Sequence, residues 1–295
     1  MRGTIPAPRA VNAQLLAGRA ATCYTVAENL LANSHFDIWQ RGEEIANVDT
    51  MTYGPDMWRG NGNLSRSYSR HQCGVKITTV EAGQFAGITQ RRVLPTRYCA
   101  YSNAVMTLRY RVYAFEHDMY TYQGAHVPAG QWATSMWRGR LSITTEGVIE
   151  CGDLIGVQKL ANGSDLPVGS AFVIADVELV LGEYTADTFP AVRQVSYADE
   201  LAECQRYRRE INVDNTAPWL YEGTTIRRYA IAYPEMRAVP RRALQLTEKR
   251  VWTDVASTFS PYNITAQHMC ITATGEVPTA ADCYLMGKVI LDASL

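Results

Sequence analysis

The sequence predicts an all-β chain: a sandwich or jelly roll over residues 29–195, followed by a short helix and a small C-terminal β module over 196–295. Three observations predict it. Long runs alternate apolar and polar residues with period two, the pattern of a half-buried antiparallel strand. Gly, Pro and Asn clusters break the chain between those runs, with no helical pattern interleaved. One stretch alone, Ser196–Ile211, carries the helical period.

Taken in order, residues 1–28 read as an extended arm, since nothing in them can close a core; a frayed terminus would read the same way. Val11–Leu16 could form a short helix there. In 29–195 the clearest strand runs from Met106 to Ala114, with Met106, Leu108, Tyr110, Val112 and Ala114 on one face and Thr107, Arg109, Arg111 and Tyr113 on the other. A second puts Val173, Ala175, Val177, Leu179 and Leu181 on the core face, opposite Ile174, Asp176, Glu178 and Val180. Cys73–Thr79 is a weaker third. Gly60 and Gly62 in RGNGN read as a hairpin turn.

The helix candidate has a capping-box pattern at Ser196 and Asp199. Leu201, Cys204, Tyr207 and Ile211 then recur at helical spacing, so Leu201 and Tyr207 are expected on its buried face. Acidic residues come early and arginines late, which complements the helix dipole. Beyond it, Thr225–Tyr233 and Cys283–Leu291 alternate as strands. A module of this size, rich in Tyr and Arg, gains from oligomerisation. Trp219, Tyr221, Arg227, Tyr229 and Tyr233 are the expected oligomer interface.

Composition bounds the function. The chain has 295 residues, 47% of them hydrophobic and 19% charged, as an ordered globular protein does. A net charge of -1 gives no reason to expect nucleic acid as a partner. The 7 cysteines are an odd number without a CxxC, so reduced thiols are expected rather than a disulfide framework or a zinc site. No apolar run reaches the ~20 residues of a membrane span, and no secretory signal pattern opens the chain.

Catalytic motifs are absent: HExxH, GxSxG, a P-loop and GxGxxG do not occur. No catalytic residue, metal ligand or cofactor is assigned, and an enzyme is not expected. The informative feature is a density of rings. His117–Val127 holds Tyr120 and Tyr122, and Gln131–Arg138 holds Trp132 and Trp137. Flat aromatic faces beside hydrogen-bonding groups suit sugars, whose C–H faces are apolar and whose rims are hydroxyls. Tyr120, Tyr122 and Trp132, with His117, Asp118, Gln123 and Gln131, are therefore the expected ligand residues; core or interface packing would explain the same rings.

Several segments resemble a family of bacteriophage tail-fibre and receptor-binding proteins. They are NLLANSHFDIWQRG (29–42), YGPDMW (53–58), GQFAGIT (83–89), ADVELVLGEYTADTF (175–189), ELAECQRY (200–207), YPEMRAVP (233–240) and LDASL (291–295). They fall in family order, while the middle, Tyr101–Leu160, matches poorly. The resemblance implies a carbohydrate-binding-module-like jelly roll, commonly in a homotrimer. It implies a virion protein, assembled in the bacterial cytoplasm, in which the arm 1–28 seats on other virion proteins and the rest adheres to host surface polysaccharide. The short arm suits a compact spike or fibre on tail or head, including head fibres of gene-transfer-agent-like particles. A calcium ion that often ties first strand to last in such jelly rolls would fall at Asp37 and Asp176. The rival readings are a decoration or connector protein without a receptor, and a glycan-degrading spike.

Overall fold

The computed structural model describes residues 26–48, 52–213, 220–222, 226–251, 258–262, 265, 267–274 and 283–293. The chain divides into two compact units between Tyr197 and Ala198. The arm expected over 1–28 lies outside the described residues up to position 25.

The first unit is a β-sandwich. Its strands are β1 (Val26–Ala27), β2 (Glu44–Val48), β3 (Trp58–Gly62), β4 (Arg66–His71), β5 (Gly74–Thr79), β6 (Ala86–Val93), β7 (Val105–Ala114), β8 (Met119–Thr121), β9 (His126–Val127), β10 (Trp132–Arg140), β11 (Val148–Glu150), β12 (Ile155–Leu160), β13 (Ala171–Leu181) and β14 (Ala191–Val192). Sheet A has the order β10-β7-β13-β5-β4-β2. Sheet B has the order β11-β6-β12-β8-β9, with β3 on the other edge of β6. All pairings in both sheets are antiparallel; β1 and β14 form a small parallel pair. The inward residues of the two sheets, among them Tyr110, Leu108 and Ile77 from A and Ile88, Ile155 and Met119 from B, form one core.

The NLLANSHFDIWQRG segment is a latch in this core. The Asn33 side chain is fully buried, donates to the carbonyls of Ile38 and Asp56 (3.0 and 2.9 Å) and accepts from the Ile38 amide (3.0 Å). Trp58 Nε1 donates to the Asn33 carbonyl at 2.8 Å, and its ring lies 5.2 Å from Phe36. The Asp56 carboxylate accepts from the Gln40 amide and from Arg41. Gln90 of β6 bonds both the amide and the carbonyl of Ala32. The residues that carry the family resemblance here thus satisfy buried polar groups of the fold.

The same latch shields sheet A. β5 pairs with β13 only as far as Ile174. Beyond it, Leu30 donates to Leu179 O, Asn29 Nδ2 to Val177 O, and the Val177 amide to Ser34 O. An otherwise open strand edge is covered by the chain's own segment.

Two sequence expectations change here. Gly60 and Gly62 lie within β3 rather than in a turn, because β3 runs tight against β6: a Cβ on Gly62, whose φ is +107°, would stand 2.5 Å from the Phe85 carbonyl oxygen. In β13 the alternation breaks. A bulge lies between Ala175 and Glu178 in the pairing with β7, with Asp176 at φ +48°. Phe172 and Ile174 before it, and Val177 and Leu179 after it, all belong to the core cluster. Val173 and Ala175 therefore face away from the core cluster, not into it.

Of the cysteines, Cys151 and Cys204 are buried thiols and Cys73 is exposed. Burial pushes the Cys151 thiol up to about 12, so it stays protonated and inert at neutral pH.

The second unit opens with α1 (Tyr197–Gln205), followed by β15 (Arg208–Val213), β16 (Leu220–Glu222), β17 (Ile226–Ala232), β18 (Arg241–Val251), β19 (Thr258–Tyr262), β20 (His268–Thr274) and β21 (Cys283–Asp292). Its sheets have the orders β15-β21-β18 and β16-β17-β20-β19. The helix stops at Gln205, six residues short of the expected Ile211. The six residues from Arg208 to Val213 instead pair with β21, and a continuous ladder outweighs helical propensity. Leu201 is half-buried; Tyr207 is buried in the turn, with the Arg237 guanidinium 5.5 Å from its ring and its carbonyl accepting from Ala293. Tyr207→Ala is therefore expected to cost about 3 kcal/mol and Leu201→Ala about 1–2 kcal/mol, an ordering that denaturant melts of the two variants check.

Among the expected interface residues, Tyr233 is buried, and its hydroxyl donates to the Thr265 carbonyl at 2.7 Å. It is a core residue of this unit rather than a surface ring. Trp219 and the side chains of Tyr221, Arg227 and Tyr229 lie outside the described residues.

Candidate ligand cleft on the outer face of sheet A

The cleft follows from the strand alternation. With Leu108, Tyr110 and Val112 of β7 turned into the core, Arg109, Arg111 and Tyr113 are left on the outer face. Register sets Thr134 of β10 opposite Arg111 and Met136 opposite Arg109. On the other side of β7, Glu178 of β13 stands opposite Arg109. The bulge then turns Asp176 outward to meet Arg111. An aspartate tolerates the left-handed conformation better than most residues.

The charges pair across the strands. Arg109 donates through Nε (2.8 Å) and Nη2 (2.5 Å), both to Oε2 of Glu178. Arg111 Nε donates to Asp176 Oδ2 at 2.5 Å, and His35 Nδ1 lies 3.0 Å from Oδ1 of the same carboxylate. These residues, with Thr134, Met136, Ala186 and Gln194, line a cleft of about 470 Å³. Its volume lies in the range of small-molecule sites.

Rings flank the charges. The Arg109 guanidinium sits 3.9 Å over Phe189, and that of Arg111 sits 4.7 Å over Trp132. From Trp132 a chain of ring contacts runs to Tyr113 (5.5 Å), Phe115 (5.1 Å) and His71 (6.4 Å), with Lys76 Nζ 4.9 Å over Phe115. In register, Val173 stands between Tyr113 and Lys76, and it is fully buried although it faces outward. A paving of aromatic and cationic side chains thus covers this part of the sheet.

The hydrogen bond with His35 and the charge of Arg111 hold the Asp176 carboxyl below the ordinary carboxylate range, against burial, which pushes it up. A carboxyl depressed in the folded state stabilises the fold above its unfolded value, ~3.9, and loses that contribution as pH falls through the lower folded value. Thermal melts from about pH 5 downward should therefore show a smaller loss of melting temperature for Asp176→Asn than for wild type. Asn keeps the backbone conformation, so the comparison isolates the charge.

The ring-rich loops are divided between the two sheets. Trp132 borders the cleft and is 37% exposed. Tyr120 belongs to β8 in sheet B, where its ring meets His126 at 5.4 Å. Tyr122, 44% exposed, follows β8 and packs 5.2 Å from Phe85. Asp118 braces the turn, accepting from the Ala129 amide at 2.8 Å. Its other oxygen lies 3.4 Å from His126 Nε2. His117 is half-buried in the same loop, and Gln131 is exposed just before β10. Gln123 turns inward to the Tyr110 hydroxyl. The physical reason is the crossing between sheets: the chain leaves β8 and β9 in sheet B and enters β10 in sheet A. Sequence spacing missed His35, Arg109, Arg111, Asp176, Glu178 and Phe189, which come from four separate segments. Asp37 is exposed, and among the described residues no three His, Cys, Asp or Glu gather as a metal cluster.

No family model matches the chain, and no curated protein matches it. Among solved structures it is similar to one described as "CBM4 structure and function", at 15% identity and a TM-score of 0.32, covering 51% of this chain and 98% of that one. It is also similar to the CBM22-1 xylan-binding domain from Paenibacillus barcinonensis Xyn10C, at 10% identity and a TM-score of 0.31, covering 55% and 99%. The likeness concerns the β fold, and no residue role is carried over from it.

Proposed function

We propose that this chain is a glycan-binding adhesin of a phage or phage-like particle, working without catalysis, and that the cleft on sheet A is its sugar site. The carrying observation is the cleft itself, where two guanidinium–carboxylate pairs lie between the half-buried Phe189 and the exposed Trp132. A sugar hydroxyl both donates and accepts, which matches carboxylate beside guanidinium, and a pyranose C–H face matches Trp132. The carboxyl of Asp176 is held ionised, the opposite of what a general acid for glycoside cleavage needs. The virion seat rests on the ordered motif resemblance. In this reading the arm 1–28 docks on other virion proteins and the 196–295 module trimerises. Three weak sites then act together through effective concentration.

A glycan array probed with the assembled protein tests the reading. Binding at the cleft should be weak per site, on the order of millimolar to high micromolar. Trp132→Ala and Arg111→Ala should each lose most of it while shifting the melting temperature little. No binding to any glycan at high protein concentration would instead favour a decoration or connector protein. Sedimentation of the full chain should give a trimer at micromolar concentration, and gold labelling should place it on the particle surface.

A further inference from the structure

The charges of the two arginines and two carboxylates in the cleft cancel. Arg109 and Glu178 form one pair, and Arg111 with Asp176 the other, with His35 on the second oxygen of Asp176. Glu178 is the most enclosed of these groups: its side chain is 11% exposed, against 32% for Arg109, 33% for Asp176 and 44% for Arg111.

From this we infer that the cleft selects uncharged sugars and that Glu178 is the residue that excludes acidic ones; the inference rests on the glycan reading of the same cleft. A uronate carboxylate seeking Arg109 must either displace Glu178 or take the remaining N–H donors with its charge set beside that of Glu178, a like-charge contact that is itself unfavourable. Glu178 sits in the sheet opposite Arg109 and cannot swing into water, so displacement leaves a buried carboxylate without its cation. That penalty exceeds what a partly exposed new pair returns. At Arg111 the incoming anion meets Asp176 in the same way, at a site more open to solvent.

A neutral sugar meets no such barrier. Both bonds from Arg109 fall on Oε2 of Glu178, so a hydroxyl can donate to the other oxygen with the pair intact. Each guanidinium carries five N–H donors, more than its carboxylate partner uses here, and a hydroxyl can accept from the remainder. Other cations on this face stand outside the lining: Lys76 is seated on Phe115, and Arg138 of β10 faces Glu183 at 3.9 Å. The two carboxylates therefore act as a filter on ligand charge, while the rings and guanidiniums supply contact.

The test uses the full chain and matched ligands: a panel of neutral oligosaccharides and the same oligosaccharides oxidised at C6 to uronates, titrated calorimetrically at low salt. Wild type should prefer the neutral member by roughly tenfold or more. Glu178→Gln keeps the shape and a hydrogen bond to Arg109 but removes the charge, and should narrow or reverse that ratio by about tenfold. If Glu178→Gln lowers the melting temperature too far for titration, Asp176→Asn should produce a smaller change in the same direction. A wild-type preference for the uronates, or an unchanged ratio in both variants, would overturn the inference while leaving a glycan site standing. Binding of neither class by wild type would overturn the glycan reading and this inference with it.

Discussion

Asn33→Ala is expected to lower the stability of the first unit by about 4 kcal/mol. The Asn33 side chain is 0% exposed and makes three hydrogen bonds, to both the amide and the carbonyl of Ile38 and to the carbonyl of Asp56. Removing it takes a hydrogen bond from the buried Ile38 amide and Asp56 carbonyl, at ~1–3 kcal/mol each where water cannot reach them, while the Ile38 carbonyl keeps the Asp56 amide at 3.0 Å. Alanine also fits φ +49° worse than asparagine does, adding roughly 1 kcal/mol. The Asn33 carbonyl carries the Trp58 indole, so distortion spreads to the largest side chain of the core. Chemical denaturation of the variant checks this; a loss under 1 kcal/mol would show that the latch is not a principal support of the sandwich.

Gly87→Ala should cost about 3 kcal/mol, through backbone collision rather than lost bonds. A Cβ there would stand 2.2 Å from the carbonyl oxygen of Ile155 and 3.2 Å from the Cα of Gly156. Gly87 is paired on both sides, with Gly156 of β12 and Asn61 of β3, so neither neighbour can retreat without breaking a ladder. Its carbonyl also accepts from the buried Arg66 side chain at 2.7 Å. Gly124→Ala is the control: a Cβ there has nothing within 4 Å. Its φ of +81° leaves only the cost of the left-handed backbone, ~1 kcal/mol.

What the sequence made legible follows from what alternation encodes. The Met106–Ala114 strand could be read because its period is unbroken, and its outer face, Arg109, Arg111 and Tyr113, could be read with it. The β13 strand was legible as a strand, with its facing from Asp176 onward, but not in its facing before the bulge. One inserted residue reverses the alternation, and Asp176 differs in no compositional way from an ordinary outward aspartate. The second half of the helix candidate kept helical spacing while its residues were committed to pairing with β21, 78–82 positions away, Arg209 with Leu291 and Ile211 with Val289. The cleft was hidden for a related reason. Its ion pairs join β7 to β13, some 65–69 positions apart, and His35 lies 141 positions from Asp176. A local density of rings pointed to the 117–132 loops, and only Trp132 among them reaches this face. Setting the outer positions of the two clearest strands beside each other would have found the paired Arg109–Glu178 and Arg111–Asp176; the bulge that aligns them has no sequence signature.

The central claim is that sugar binds on the outer face of sheet A. Its most direct test is a crystal structure of the full chain soaked with the oligosaccharide that binds most tightly in the array. Sugar density is expected against Trp132, with hydroxyls within hydrogen-bond distance of Arg109, Arg111, Asp176 or Glu178 and both ion pairs intact. Density confined to Tyr120 and Tyr122 on sheet B, or to the C-terminal module, with the sheet A cleft empty, would contradict it.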